Sequence, residues 1–179
     1  VQMMNTYARQ LGMTGTHFTN AAGLPDPEHY TTARDTALLA SALIHEFPEY
    51  YKWYSQKEFT WNQITQQNRN GLLWRDPSVD GVKTGHTKSA GYCLVTSAKR
   101  GDMRLVTAVM GTDSMRARED ASAALLNYGF NFFETKRIYA AGQPLSTMRV
   151  WKGKLDELGL TVGRDLYVTN QRGHVSSVK

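Results

Sequence analysis

Two apolar segments separated by a short polar turn constrain the fold of this chain more than any other feature. The first runs from Gly91 to Ala98 and the second from Met103 to Met110, and Lys99-Arg100-Gly101-Asp102 joins them. Runs of this length that are rich in Val, Thr and Leu and flank a glycine-containing turn predict two β-strands. We therefore expect an antiparallel hairpin within a larger sheet.

A long helix is predicted directly after this hairpin. Ser114 is a suitable N-cap, and Glu119 and Asp120 lie near the N-terminus, where the helix dipole favours acids. The spacing of apolar residues predicts a buried stripe. Its members are Ala121, Leu125, Tyr128 and Phe132. A sheet packed by helices indicates the α+β class.

The segments before the hairpin predict helices first and turns later. Thr32 is a suitable N-cap of a helix, with Asp35 in the position of a capping-box acid. We expect the aromatic residues of 50–61 to pack in the core. Asn70-Gly71 and Asp80-Gly81 carry the sequence signal of tight turns.

Composition excludes several classes of protein. The chain has 179 residues, of which 41% are hydrophobic, so it can bury a core and is not a disordered segment. Cys93 is the single cysteine, which excludes an internal disulfide, and the scattered histidines lack zinc-site spacing. We expect no metal and no cofactor. The strongly apolar stretch at 36–44 is too short for a membrane span. No signal peptide is recognisable in the residues after Val1, so export cannot be inferred from this end.

The charge is distributed unevenly and predicts two domains. Residues 1–135 carry 13 basic and 13 acidic side chains, whereas residues 136–179 carry 8 and 3. We place a first domain at 1–137 and the beginning of a small β-rich domain at 138–179, with strand candidates at 148–151 and 166–169. The basic segment could attract an anionic surface. It contains no nucleic-acid-binding motif, so no nucleic acid is expected as a partner.

One tripeptide, Lys83-Thr84-Gly85, carries a chemical signal. A cation, a hydroxyl group and a glycine at the start of an edge strand can receive a peptide that bears a carboxylate, because glycine allows close backbone approach. An ordinary surface strand would have the same three residues. Arg118, on the helix after the hairpin, has an equally plain alternative as a surface partner of Glu119.

The order of these segments resembles one known family. The segments are 66–74 (QQNRNGLLW), 79–87 (VDGVKTGHT), 109–111 (VMG) and 116–119 (RARE), together with His17-Phe18 and Ala22-Gly23-Leu24. They are similar to the low-molecular-mass penicillin-binding proteins, which are serine D-alanyl-D-alanine carboxypeptidases of the penicillin-binding protein 5 and 6 group, and most of all to its 6b type. The resemblance extends over the whole chain.

The resemblance implies a fold and a set of binding residues. The first domain would be the second half of a transpeptidase domain of the penicillin-binding-protein and β-lactamase type, an antiparallel sheet packed by helices. Lys83, Thr84 and Gly85 match the family's K-T-G motif, which positions substrate, and His86 follows it. Arg118 matches an arginine that holds the terminal carboxylate of the D-Ala-D-Ala stem peptide. Arg69 matches an arginine near the cleft.

The nucleophile is not among the residues of this chain. Its serine and general-base lysine form an S-x-x-K motif in the family, and with an S-x-N motif they are expected to precede Val1. The match of residues 176–179 to S-x-x-K is attributed to chance. We therefore expect this chain alone to be inactive, because acyl transfer needs the serine and its base together.

The implied function is peptidoglycan maturation and control of cell shape. The partners would be the D-Ala-D-Ala stem peptide and β-lactam antibiotics. Family members lie in the periplasm at the inner membrane, which they contact through a C-terminal helix absent here. A β-lactamase of the same fold and a non-catalytic peptidoglycan-binding scaffold stay open as alternatives. An upstream reading frame with both missing motifs would exclude the scaffold.

Overall fold

The computed structural model describes residues 1–173 and divides the chain into two compact units. The first unit is Val1–Gly129, and the second begins at Phe130. The division lies earlier than the boundary at residue 137 that the charge distribution predicted. The reason is that the basic residues Lys136 and Arg137 lie within a strand of the second unit.

Helices and strands alternate in groups along the chain. The helices are α1 (Gln2–Gln10), α2 (Ala33–Glu46), α3 (Pro48–Tyr51), a 3₁₀ helix (Lys52–Ser55), α4 (Leu72–Arg75) and α5 (Met115–Phe132). The strands are β1 (Glu58–Trp61), β2 (Ile64–Gln67), β3 (Val79–Thr87), β4 (Gly91–Arg100), β5 (Met103–Thr112), β6 (Phe133–Tyr139), β7 (Pro144–Arg149), β8 (Glu157–Thr161) and β9 (Leu166–Gln171). The α+β class is confirmed.

The main sheet has the strand order β3-β4-β5 and is antiparallel. The predicted hairpin is β4 and β5, joined by Gly101, whose φ of 59° lies in the left-handed region that favours glycine. The turn predicted at Asp80-Gly81 is wrong. These residues lie inside β3, where the register shifts between Val79 and Gly81, so the irregularity that the sequence signalled is a bulge rather than a turn.

Helices cover both faces of this sheet. Ala40 of α2 forms a buried cluster with Tyr51 and Val82, and the half-buried Val106 of β5 packs against that cluster. On the opposite face, Gly129 of α5 lies so close to Leu105 that a Cβ there would come within 2.5 Å of a leucine methyl carbon. Neighbouring residues on a strand point to opposite faces, so β5 is packed from both sides.

The N-terminus of α2 is fixed by polar contacts. Thr32 caps the helix by accepting a hydrogen bond from the Asp35 backbone amide, as predicted. The Asp35 carboxylate does not complete a capping box. It accepts from the Gly15 amide at 2.8 Å and from the Thr16 hydroxyl at 2.7 Å. The Thr16 hydrogen bond lowers the pKa of Asp35, against the opposing effect of desolvation.

The buried stripe predicted for α5 is wrong. Leu125, Tyr128 and Phe132 are all about half exposed, whereas Arg118 and Leu126 are buried, together with Ser122 between them. These three buried residues follow one another at intervals of four, so they lie on one helix face. The prediction placed only apolar residues on the buried face. Because the side chains of Arg118 and Ser122 are also buried, the observed buried face is shifted by about one residue from the predicted one.

The aromatic segment 50–61 is mostly outside the core, which corrects a second prediction. Tyr51 is buried, but Trp53, Phe59 and Trp61 are exposed. β1 and β2 pair as a two-stranded ribbon, and every residue of both strands is exposed. The Asn70-Gly71 signal also does not produce a hairpin turn, because Gly71 is the N-cap of α4.

The second unit consists of two antiparallel strand pairs in its described part. β6 pairs with β9, and β7 pairs with β8. The strand candidates predicted at 148–151 and 166–169 overlap β7 and β9. The S-x-x-K match at 176–179 lies outside the described residues.

Two features are absent from residues 1–173. No helix in this range is both long enough and apolar enough to cross a membrane. Over the same residues, no group of three or more His, Cys, Asp or Glu side chains could hold a metal ion.

The one-residue displacement of the α5 stripe is testable with adjacent leucines. Leu126→Ala should lower the free energy of unfolding by about 2–5 kcal/mol, because it leaves a cavity in the core. Leu125→Ala removes the same atoms from an exposed position and should cost less than about 1 kcal/mol. Urea unfolding of the two variants measures both values. Equal losses would contradict the observed helix register.

Candidate functional site

The K-T-G tripeptide lies on β3, which is an outer strand of the main sheet. Lys83 and Gly85 are exposed and Thr84 is half-buried. The tripeptide lies in the middle of β3, whereas the sequence placed it at the start of a strand. Only β4 pairs with β3 in the described part of the chain, so the other side of β3 is an open strand edge. Such an edge can pair with an extended peptide.

Packing within the protein does not require a glycine at position 85 of this edge. A Cβ added there would meet only the Cβ of Cys93, at 3.8 Å, which is an ordinary van der Waals contact. Its φ is outside the left-handed region, so backbone conformation does not demand glycine either. A ligand that approaches β3 at Gly85 can therefore come close to the backbone.

A large cavity of about 1020 Å³ borders the tripeptide. Its walls come from α2, from the loop before α2 and from strands β3 to β5. Lys83, Thr84 and Gly85 lie along it together with Cys93, while Leu39 and Leu43 of α2 supply an apolar wall. A cation beside an apolar cavity can bind a ligand with one anionic end and an apolar body.

The ammonium group of Lys83 is held by one hydrogen bond to the backbone. Its Nζ donates to the carbonyl of Thr84 at 2.8 Å. No ion pair of Lys83 is found among residues 1–173. A carboxylate that enters the site can therefore take this charge without breaking an ion pair within those residues.

Arg118 lies inside the protein rather than on its surface. The residue is only 3% exposed, which excludes the surface pair with Glu119. Its Nη1 donates to the carbonyls of Gly85 at 3.1 Å and Cys93 at 3.4 Å, and its Nη2 donates to the carbonyl of Arg69 at 3.4 Å. Its Nε has no acceptor among the described residues. Glu119 instead accepts from the amide of Gly71.

The ring of Tyr92, which the sequence did not mark as a site residue, lies near both His86 and Arg118. The His86 and Tyr92 rings lie 4.0 Å apart between centroids, at a tilt of 32°. The guanidinium of Arg118 lies 5.6 Å from the centroid of the Tyr92 ring, within the range of a cation–π interaction. Tyr92 lies directly opposite His86 in the β3–β4 register, a pairing that the structure shows and no sequence motif marks.

Arg69 contributes its backbone rather than its side chain to the observed contacts. The side chain is exposed, and its carbonyl accepts from Arg118. The structure thus places Lys83, Thr84 and Gly85 along one cavity and places Arg118 behind Gly85. The carboxylate-binding role assigned to Arg118 by resemblance stays a prediction.

Comparison with known proteins gives the family. The model of the D-alanyl-D-alanine carboxypeptidase family matches residues 1–114, and that of the C-terminal domain of penicillin-binding protein 5 matches residues 133–179. The chain belongs to the D-alanyl-D-alanine carboxypeptidase family. The predicted family is therefore confirmed.

Individual relatives agree with the family assignment. The chain is 47% identical over 180 residues to D-alanyl-D-alanine carboxypeptidase DacA of Escherichia coli (strain K12), covering 100% of this chain and 45% of that protein. It is 42% identical over 180 residues to DacD of the same strain, covering 100% of this chain and 46% of that protein. The chain thus spans about half the length of the curated relatives it matches.

Solved structures of the family share this fold. Penicillin-binding protein 5 from Haemophilus influenzae superposes with a TM-score of 0.87 at 45% identity, covering 99% of this chain and 52% of that one. Penicillin-binding protein 6B from Escherichia coli gives a TM-score of 0.79 at 40% identity, covering 100% of this chain and 51% of that one. The predicted transpeptidase-type fold is confirmed.

The contacts of Arg118 predict a large effect on stability. Arg118→Ala should lower the free energy of unfolding by roughly 2 to 4 kcal/mol, because hydrogen bonds to a charged group are lost and buried carbonyls stay unpaired. Arg116→Ala is the matched control, since Arg116 is exposed and pairs with Asp120 across one helical turn. It should cost at most about 0.5 kcal/mol. Urea unfolding that gives equal small losses would show that Arg118 does not hold the strands.

Proposed function

We propose that the protein containing this chain is a serine-type D-Ala-D-Ala carboxypeptidase that trims peptidoglycan stem pentapeptides. The observation that carries the proposal is the open edge of β3, where Lys83, Thr84 and Gly85 lie along a large cavity in a member of this family. The names of the relatives favour a carboxypeptidase over the β-lactamase considered from the sequence.

The strand would bind the end of the stem peptide as an added strand. The backbone of β3 offers hydrogen-bonding groups along its open edge, and Gly85 allows the peptide to approach closely. The Lys83 ammonium group would attract the terminal carboxylate of the peptide, and the Thr84 hydroxyl group would donate a hydrogen bond to it. The unmatched Nε donor of Arg118 lies behind the same strand and adds positive potential.

The chemical steps would require the serine and lysine expected before Val1. The serine oxygen would attack the carbonyl carbon of the penultimate D-Ala, and its proton would pass through the lysine to the leaving amine. The peptide bond breaks, terminal D-Ala leaves, and an acyl-serine ester forms. Water would then hydrolyse the ester and regenerate the serine. β-Lactams carry a carboxylate and a strained amide, so the same groups would bind them and the opened ring would stay on the serine.

The location of the protein is part of this proposal. Stem peptides lie outside the cytoplasm, so the protein would act in the periplasm, at the surface of the inner membrane. The excess of basic over acidic residues in 136–179 is compatible with an anionic surface nearby. Protease treatment of intact and of osmotically opened cells would test this location, since only a periplasmic protein is degraded when the outer envelope alone is opened.

Lys83 provides the test of the proposed site. In a protein extended to include the S-x-x-K and S-x-N motifs, Lys83→Ala should lower the second-order rate constant of acylation by a fluorescent penicillin roughly 10- to 100-fold. That range corresponds to losing one charge-assisted contact of about 1.5–3 kcal/mol. Gel fluorescence after denaturation measures the covalent product.

Two controls accompany this experiment. Lys99→Ala removes the same charge near the far end of β4 and should leave acylation unchanged. The 179-residue chain alone should give no labelled band. An unchanged rate for Lys83→Ala would make β3 an ordinary surface strand, and a labelled band from the chain alone would contradict the expected position of the nucleophile.

A further inference from the structure

A polar cluster on the other side of the K-T-G tripeptide holds the beginning of β3. Tyr51 at the end of α3 is buried, and its hydroxyl group donates to the Asp80 carboxylate at 2.9 Å. Arg104 of β5 donates to both oxygens of Asp80, at 2.9 and 2.8 Å, and to the hydroxyl group of Ser97 at 2.6 Å. The Arg104 guanidinium also lies 5.6 Å from the centroid of the Tyr51 ring. We call Tyr51, Asp80, Arg104 and Ser97 the β3 anchor.

Tyr51 of the β3 anchor lies in direct contact with the backbone of β3. A Cβ added to Gly81 would come within 2.5 Å of the Tyr51 hydroxyl oxygen, so the ring lies against the backbone itself. From the other direction, the buried Asn70 donates its Nδ2 to the Gly81 carbonyl at 3.1 Å. The position of Gly81 is therefore fixed by two side chains that come from outside the sheet.

The strand is thus held on both sides of Lys83, at Gly81 before it and at Gly85, the last residue of the tripeptide. Gly81 lies two residues before Lys83, and the Gly85 carbonyl, two residues after it, accepts from Arg118. Between these two points, Lys83 and Thr84 have little freedom to move along or away from β4. Hydrogen-bonded side-chain networks of this kind rigidify a protein when their polar groups are paired.

The ionisation state of Tyr51 favours the same arrangement over a wide pH range. Desolvation by burial is the main cause that raises the pKa of Tyr51 above its usual value. The hydroxyl group therefore keeps its proton and stays a hydrogen-bond donor to Asp80 at neutral and mildly alkaline pH.

We propose that Tyr51 and Asp80, bridged to Arg104, are positioning residues that determine where Lys83 and Thr84 lie in the binding site. The inference rests on the proposed function, because it assigns these residues to the same site. None of them lies along the cavity beside the tripeptide, so they act through the backbone of β3. Displacement of reacting groups by about 1 Å can cost about 10²-fold in rate.

The test compares acylation with stability in the extended protein. Tyr51→Phe retains the ring that packs with Ala40 and Val82 and removes only the hydroxyl group. Asp80→Asn removes the charge that holds Arg104. Each variant should lower the rate constant of acylation at saturating penicillin roughly 10- to 100-fold. The thermal midpoint should fall by no more than it does for the control variant.

Asp76→Asn is the matched control. Asp76 lies just before β3 begins, seven residues before Lys83. Its carboxylate accepts hydrogen bonds from Arg100 at 2.9 Å and from the Ser78 hydroxyl group at 2.6 Å. This variant should lose stability and keep the acylation rate of the wild type. The comparison therefore separates a loss of folding free energy from a loss of position at Lys83.

The outcomes separate the two proposals. If wild-type protein is acylated and both β3-anchor variants react at the wild-type rate, the positioning role is wrong and the proposed function stands. If Asp76→Asn slows acylation as much as the β3-anchor variants do, the effect is one of stability and the positioning role is also wrong. If wild-type extended protein is never acylated, both proposals fail.

Discussion

The guanidinium group of Arg118 connects the parts of the protein that form the candidate site. It reaches from α5 to the carbonyls of Gly85 and Cys93, on adjacent strands, and to the carbonyl of Arg69 before α4. A buried charge is costly unless its donors are paired, and here backbone carbonyls supply most of the pairing. One side chain of α5 therefore links β3, β4 and the Arg69 segment.

This arrangement explains how a weak tripeptide signal becomes a defined site. Lys83 and Thr84 gain no special geometry from their own sequence, and within residues 1–173 the Lys83 side chain has a single hydrogen bond, to the neighbouring carbonyl. Their position comes from Gly85, held by Arg118, and from Gly81, held by Tyr51 and Asn70. The open edge of β3 then carries the chemistry, while residues away from the cavity keep it in place.

Local patterns predicted those parts of the structure that local interactions determine. The β4–β5 hairpin followed from two apolar runs and a glycine-containing turn, and Thr32 and Ser114 were identified as N-caps from their positions before helices. The K-T-G tripeptide and the family were also identifiable from the sequence, because motif order is a property of the chain.

Two of the differences share a physical cause, which is that polar groups can be buried or half-buried when tertiary partners satisfy them. The alternative that placed Arg118 on the surface is excluded, because the residue is buried against carbonyls that are distant in sequence, although a charged residue is rarely buried. Asp80-Gly81 became part of a strand because Tyr51 and Arg104 bind Asp80 there. Trp61 stayed exposed on a two-stranded ribbon, although its aromatic ring suggested a core position.

The central claim is that a ligand approaches β3 closely at Gly85, and Gly85→Ala in the extended protein tests it most directly. A Cβ at this position has room within the protein, 3.8 Å from Cys93, so the thermal midpoint should stay within about 1 °C of the wild type. The same Cβ would project from the face of the strand at the cavity wall and crowd a ligand there, so acylation by penicillin should slow roughly tenfold or more, at about 1.4 kcal/mol per factor of ten. Wild-type acylation by a stable Gly85→Ala variant would contradict the account.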